Sequence, residues 1–169
     1  MSKSVRTFVK LTVFAAAAWS FAGLFAPAAV AQSKESPLLA LGGNWTGNGT
    51  INFSDGSKER IRCRSSYVPD TDGNNLKLDL RCASDSYKFE LHSSIVYNNG
   101  EITGMWNEST RSAAGNISGT ASAGKIEVRA VGQTFAAFLN ISTRGSSQSV
   151  SIKSPGSSMS EVSITLAKQ

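Results

Sequence analysis

Two cysteines, one histidine and a short basic run are the side chains of this 169-residue chain best suited to chemistry. Cys63 and Cys82 lack the Cys-x-x-Cys spacing of redox catalysts, and alternation in their segments turns both toward an apolar face. A structural crosslink is the chemistry that suits them in an exported protein. His92 stands alone, and alternation turns it outward between Leu91 and Ser93. One imidazole and an engaged cysteine pair cannot assemble a metal site, so neither metal nor cofactor is expected. The serines occupy no nucleophile elbow, and Asp70 and Asp72 fall in a Pro- and Gly-bearing turn whose geometry accounts for them. The chain reads as a non-enzyme.

The basic run is "ERIRCRS", which sends Arg60, Arg62 and Arg64 to one side of an extended segment. Its neighbours depend on the elements that position it. Runs of alternating apolar and polar residues, rich in β-branched and aromatic types, recur about every ten residues with turn signals between them. Strands are predicted at 43 to 53, 58 to 67, 76 to 83, 87 to 97, 101 to 108, 115 to 122, 125 to 131, 134 to 142, 147 to 153 and 160 to 168. No helical periodicity competes with them. Short connections throughout favour an all-β antiparallel up-and-down meander of about 8 to 10 strands, closed as a small barrel or folded as a sandwich. The faces opposite the apolar rows carry Lys, Arg, Glu, Asn, Ser and Thr, which argues against a lipid-facing barrel.

Turn chemistry sets registers. A turn at Asp72-Gly73 puts Cys63 opposite Cys82, within reach of a disulfide, and Arg64 beside Arg81. A turn at Asn99-Gly100 puts Tyr97 opposite Ile102 and Ile95 opposite Gly104. A turn at Ser84-Asp85 puts Cys82 against Tyr87, Leu80 against Phe89 and Arg81 beside Lys88. Together these registers gather Arg62, Arg64, Arg81 and Lys88 into one outward patch, where directly opposed like charges are unfavourable unless an anion joins them. A solvated face offset by Asp79 and Glu90 is the alternative.

Residues 1–31 read as a secretory signal peptide: Lys3, Arg6 and Lys10, then an almost wholly apolar stretch, then Ala29 and Ala31 before a cut at Gln32. The apolar stretch is shorter than the ~20 residues that span a bilayer. The leader holds three of the 17 basic residues and none of the 12 acids, so the remainder carries a formal charge of only +2. Global attraction to nucleic acid loses its support. Residues 32–41 read as a flexible N-terminal segment and 42–169 as a single β-barrel domain. Five Asn-x-Ser/Thr triplets, at Asn44, Asn48, Asn107, Asn116 and Asn140, follow from a composition rich in Ser and Thr. A periplasmic or secreted location is expected.

The stretch "GGNWTGNGTI" opens the first strand with Trp45 inward and Gly47 and Gly49 on the same face. Gly43-Asn44-Trp45 resembles the Gly-x-Trp opening of the calycins, the superfamily of lipocalins, fatty-acid-binding proteins and avidins. The resemblance implies a barrel whose end is plugged by Trp45, and glycines that permit the tight coiling of closure. It also implies a small apolar or amphipathic ligand in the interior, touched by Trp45, Tyr97, Trp106 and Phe135. No late arginine matches the residue that packs on the family's tryptophan. The second Gly-x-Trp, Gly104 to Trp106, lies in mid-chain, where the family does not require it. Plain core packing is the alternative for both indoles. Bulky inward residues would nearly fill a small barrel, whereas Gly47, Gly49, Gly104 and Gly119 argue for local room. The rival function is a cell-envelope interaction protein, a protease inhibitor or a binder of anionic glycolipid or polysaccharide, working through outer face and loops.

Overall fold

The structure, a computed structural model, describes residues 35–134 and 136–169. The leader and Phe135 lie outside the described residues. Ten strands follow one another: β1 (Gly43–Phe53), β2 (Lys58–Pro69), β3 (Asn75–Ala83), β4 (Lys88–Asn98), β5 (Glu101–Glu108), β6 (Ala113–Ser122), β7 (Lys125–Gly132), β8 (Ala136–Arg144), β9 (Ser147–Lys153) and β10 (Met159–Lys168). Each pairs antiparallel with the next, and β1 pairs with β10 to close the barrel. Closure removes both free edges, which a ten-stranded open sheet would have to protect. No helix among the described residues is long and apolar enough to cross a membrane.

Two of the three hairpin registers are as the turn residues predict. Cys63 faces Cys82 and Arg64 faces Arg81, while Tyr97 faces Ile102 and Ile95 faces Gly104. Asn99 and Gly100 both take positive φ, 48° and 98°, as a two-residue turn matching the strand twist requires. The third register differs by two residues: Cys82 faces Phe89, Leu80 faces Leu91 and Arg81 faces Glu90. The reason is local. Ser84 to Tyr87 form a four-residue turn in which the Ser84 N–H donates to the Tyr87 carbonyl at 2.8 Å and the Tyr87 N–H donates to Ser84 Oγ at 3.1 Å. Because the slip is even, every side chain keeps its face.

The inward rows build the core. Trp45, Ile51, Ile61, Cys63, Tyr67, Leu76, Cys82, Ile102, Ile164 and Leu166 are buried on it. The approach to β1 belongs to it as well. Residues expected to be flexible include Leu38 and Leu41, both buried, and Leu39–Leu41 form a single 3-10 turn. Ser36 Oγ donates to the Gly73 carbonyl at 2.6 Å, which ties this strap across the β2–β3 connection.

The inward glycines do not leave room in the interior. A Cβ on Gly47 would lie 1.8 Å from the Thr165 carbonyl oxygen, and one on Gly115 would lie 1.8 Å from that of Val131. At these points the neighbouring strand occupies the side-chain position itself. The glycines mark where the sheet coils most tightly, as closure demands.

Candidate functional site

At the end where β1 starts, the strap covers Trp45, whose Nε1–H donates to the Leu41 carbonyl at 2.8 Å and whose ring meets Tyr67 edge-on at 6.5 Å between centroids. The Tyr67 hydroxyl donates to Gln148 Oε1 at 3.0 Å, and Gln148 Nε2 donates to Thr143 Oγ1 at 3.1 Å. Burial pushes the Tyr67 phenol up to about 12, against the opposing pull of Ser65 and Gln148. This end is closed over by the strap, and the polar groups of Trp45, Tyr67 and Gln148 are hydrogen-bonded.

Lys168 was not legible as part of this end. Its Nζ lies 5.6 Å from the centre of the Trp45 ring, a cation–π contact made possible because Trp45 and Lys168 are direct partners in the β1–β10 ladder. A basic residue therefore does lie on the tryptophan, as a lysine. Only the pairing of the first strand with the last reveals it.

Elsewhere on the inner wall burial is mixed, with Ile51 and Ile61 buried toward the other end. Leu80, Phe89, Ile117, Val128, Val150 and Val162 point into the barrel from β3, β4, β6, β7, β9 and β10 and are half-buried. All six pack against the buried core cluster.

An aromatic and charged cluster stands at the end of the barrel opposite the strap. Phe53 at the end of β1, Tyr87 in the β3–β4 turn and Phe89 at the start of β4 form a continuous wall, with centroid separations of 5.5 Å and 6.4 Å. Arg111, in the β5–β6 connection, lies over it, its Cζ 4.6 Å from the Phe89 centroid and 5.8 Å from that of Tyr87. Below is Glu108, a buried carboxylate at an inward position. Its Oε1 accepts from the Glu90 N–H at 3.0 Å, the Thr110 N–H at 3.0 Å and Thr110 Oγ1 at 2.7 Å, and its Oε2 accepts from the Arg111 N–H at 2.9 Å. Burial alone would raise its pKa, but these hydrogen bonds outweigh it and hold the carboxyl below its usual range.

The residues singled out in the sequence separate accordingly. Trp45 is 0% exposed and Trp106 5%, both as core side chains, whereas Tyr97 is half-buried on the inner face. Arg62, Arg64, Arg81 and Lys88 are all exposed and share the outer face. Their arrangement departs from the expected row: Arg81 faces Glu90, and Lys88 faces Ala83, which in turn faces Arg62. An acid therefore stands within the patch. His92 points outward and pairs with Asp79 across the β3–β4 ladder, beside a groove of about 580 Å³ bordered by Lys77, Met105, Asn107 and Asn116. Asn44, Asn48, Asn107, Asn116 and Asn140 are exposed on strands, each with its Ser or Thr two positions on and hence on the same face. The Cys63–Cys82 disulfide is present and joins β2 to β3.

No family model matches the chain, and no curated protein matches it. Solved structures do. Rv2717c from M. tuberculosis superposes with a TM-score of 0.62 at 13% identity over 80% of this chain and 99% of that one. The S-type phycobiliprotein lyase CPES from Guillardia theta superposes with a TM-score of 0.56 at 11% identity over 78% of this chain and 90% of that one. At these identities the likeness is one of fold, a closed antiparallel barrel traversed in chain order.

Proposed function

We propose that this chain is a non-enzymatic binding barrel of the periplasm or cell exterior that takes a small apolar or amphipathic ligand into its interior. The observation that carries the reading is the row of half-buried apolar side chains, Leu80, Phe89, Ile117, Val128 and Val150, on the inner wall of a closed barrel. Apolar surface that faces inward yet meets water gains by covering it with a ligand. A structural role alone would favour filling that space with larger side chains. The non-enzymatic reading rests on the character of the wall, whose buried carboxylate Glu108 is already committed to four donors. Export is supported by the basic and apolar leader and by the Cys63–Cys82 disulfide.

N-phenyl-1-naphthylamine, an uncharged apolar fluorophore, tests it. Its emission should rise and shift to the blue on titration with the protein, and Val128→Phe, which fills the inner wall, should weaken binding at least about tenfold without lowering the melting temperature. Equal binding by the two proteins would place the probe outside the barrel and overturn the reading. Intact mass of protein recovered from the periplasm should begin at Gln32; retention of residues 1–31 would remove the export half.

A second reading uses the outer face. Arg64 directly opposite Arg81 is an unfavourable pairing that an anionic envelope polymer would relieve. Retention on acidic polysaccharide at low salt, lost in the Arg64→Gln/Arg81→Gln double variant and kept in Lys153→Gln, would favour it.

A further inference from the structure

We infer that Arg111 and Lys88 form a headgroup site at the open end of the barrel, so that the preferred ligand is an anionic amphiphile whose apolar body enters past Phe89. The inference rests on the interior-binding reading and adds the charge and orientation of what binds. Its basis is a pocket of about 370 Å³ between the β3–β4 and β5–β6 connections, bordered by Tyr87, Lys88, Thr110 and Arg111, with Asp85 as its one carboxylate. Tyr87 belongs to this pocket and also to the Phe53–Tyr87–Phe89 wall, so the polar pocket and the apolar interior share a boundary.

The guanidinium of Arg111 pairs only at long range with Glu108 and keeps part of its edge unused. Glu108, the nearest acid, is satisfied by four shorter contacts, none of them from the guanidinium, and meets Arg111 Nη1 only at 3.7 Å. Nη1 donates to the Lys88 carbonyl and to Thr110 Oγ1, both at 3.3 Å, while Nη2 and Nε take no hydrogen bond among the described residues. The rings of Phe89 and Tyr87 hold the plane of the guanidinium and leave its edge for a carboxylate or sulfonate. Lys88 adds a second positive charge, opposed within the pocket by Asp85 and behind Arg111 by Glu108. A hydroxyl-bearing ligand of equal length would gain none of this.

Displacement of N-phenyl-1-naphthylamine by dodecanoate and by dodecanol, at about pH 8 where the acid is ionised and at low salt, separates the terms. Dodecanoate should bind on the order of tenfold more tightly than dodecanol, as a charge-assisted bidentate contact allows. Arg111→Gln should bring the acid to the affinity of the alcohol and leave the alcohol unchanged, with Arg111→Lys restoring part of the difference. Lys88→Gln should narrow the gap less, and high salt should narrow it in the native protein. Equal affinities for acid and alcohol, or equal loss of both in Arg111→Gln, would overturn the headgroup site while leaving the interior reading standing. Binding of neither amphiphile would overturn both. Acetate should not compete with dodecanoate; if it does, the pocket is a plain anion site and the inference is wrong.

Discussion

Trp45 is wholly buried, donates one hydrogen bond to the Leu41 carbonyl and carries Lys168 on its ring, so it holds strap, first strand and last strand together. Trp45→Ala should destabilise the protein by about 3 to 5 kcal/mol, the range for truncating a large core aromatic, as read by urea unfolding; a loss below about 1 kcal/mol would contradict its place in the core. Glu108 predicts a pH dependence. Its carboxyl is held below the usual range by contacts that exist only in the folded state, so it contributes stability above its unfolded pKa, and that contribution is lost as pH falls through the folded value. The native protein should therefore weaken below about pH 4 more steeply than Glu108→Gln, with hydrogen exchange in residues 109 to 112 rising first. Identical acid profiles for the two proteins would exclude Glu108 as the source. Neither Lys168 nor Arg111 stood out beforehand, because each acquires its role from a partner far away in sequence.

Hairpins are the units in which local sequence and observed structure agree best at the scale of elements. Asn99-Gly100 dictates its turn through two positive φ values, and the register follows. Ser84 to Tyr87 misleads because a hydroxyl can close a wider turn from within, and Ser84 Oγ does so. That two-residue slip moves Glu90 beside Arg81 and Lys88 toward the mouth, which is why the patch and the headgroup pocket divide the cations between them. Relieving the Arg64 and Arg81 pairing by Arg64→Gln should leave stability unchanged or raise it by about 0.2 to 1 kcal/mol. The disulfide lies across β2 and β3, and the double Cys63→Ala/Cys82→Ala variant should lose roughly 3 kcal/mol in thermal or urea unfolding. At Gly115 the Val131 carbonyl occupies the place of a Cβ, so Gly115→Val should prevent the β6–β7 ladder from closing and yield insoluble protein. Soluble Gly115→Val with native circular dichroism would show that the strands can part there without consequence.

Over the whole molecule, closure depends on one contact between the most distant parts of the domain: β1 must find β10. Such a topology carries high contact order, and folding should be slow, in the millisecond to second range of non-local β proteins. The strap adds a second late event, since Leu38 and Leu41 can bury only once the end of the barrel exists. The ten strands, their faces and the disulfide were determined by the sequence itself, because period-two alternation and turn chemistry act over a few residues and need no partner to be read. The same locality explains what it left open. How far the inward side chains fill the barrel depends on the radius at which ten strands close, and glycines that suggested room instead give their space to the neighbouring strand. Leu38 and Leu41 lie in a segment too short and irregular to show periodicity, so their burial became visible only against the finished barrel. Arg111 sits in a connection whose sequence shows an exposed cation and nothing else. Tertiary structure alone decided that it lies over Phe89 at the mouth of an apolar interior, because the ring comes from β4 and the cation from the turn after β5.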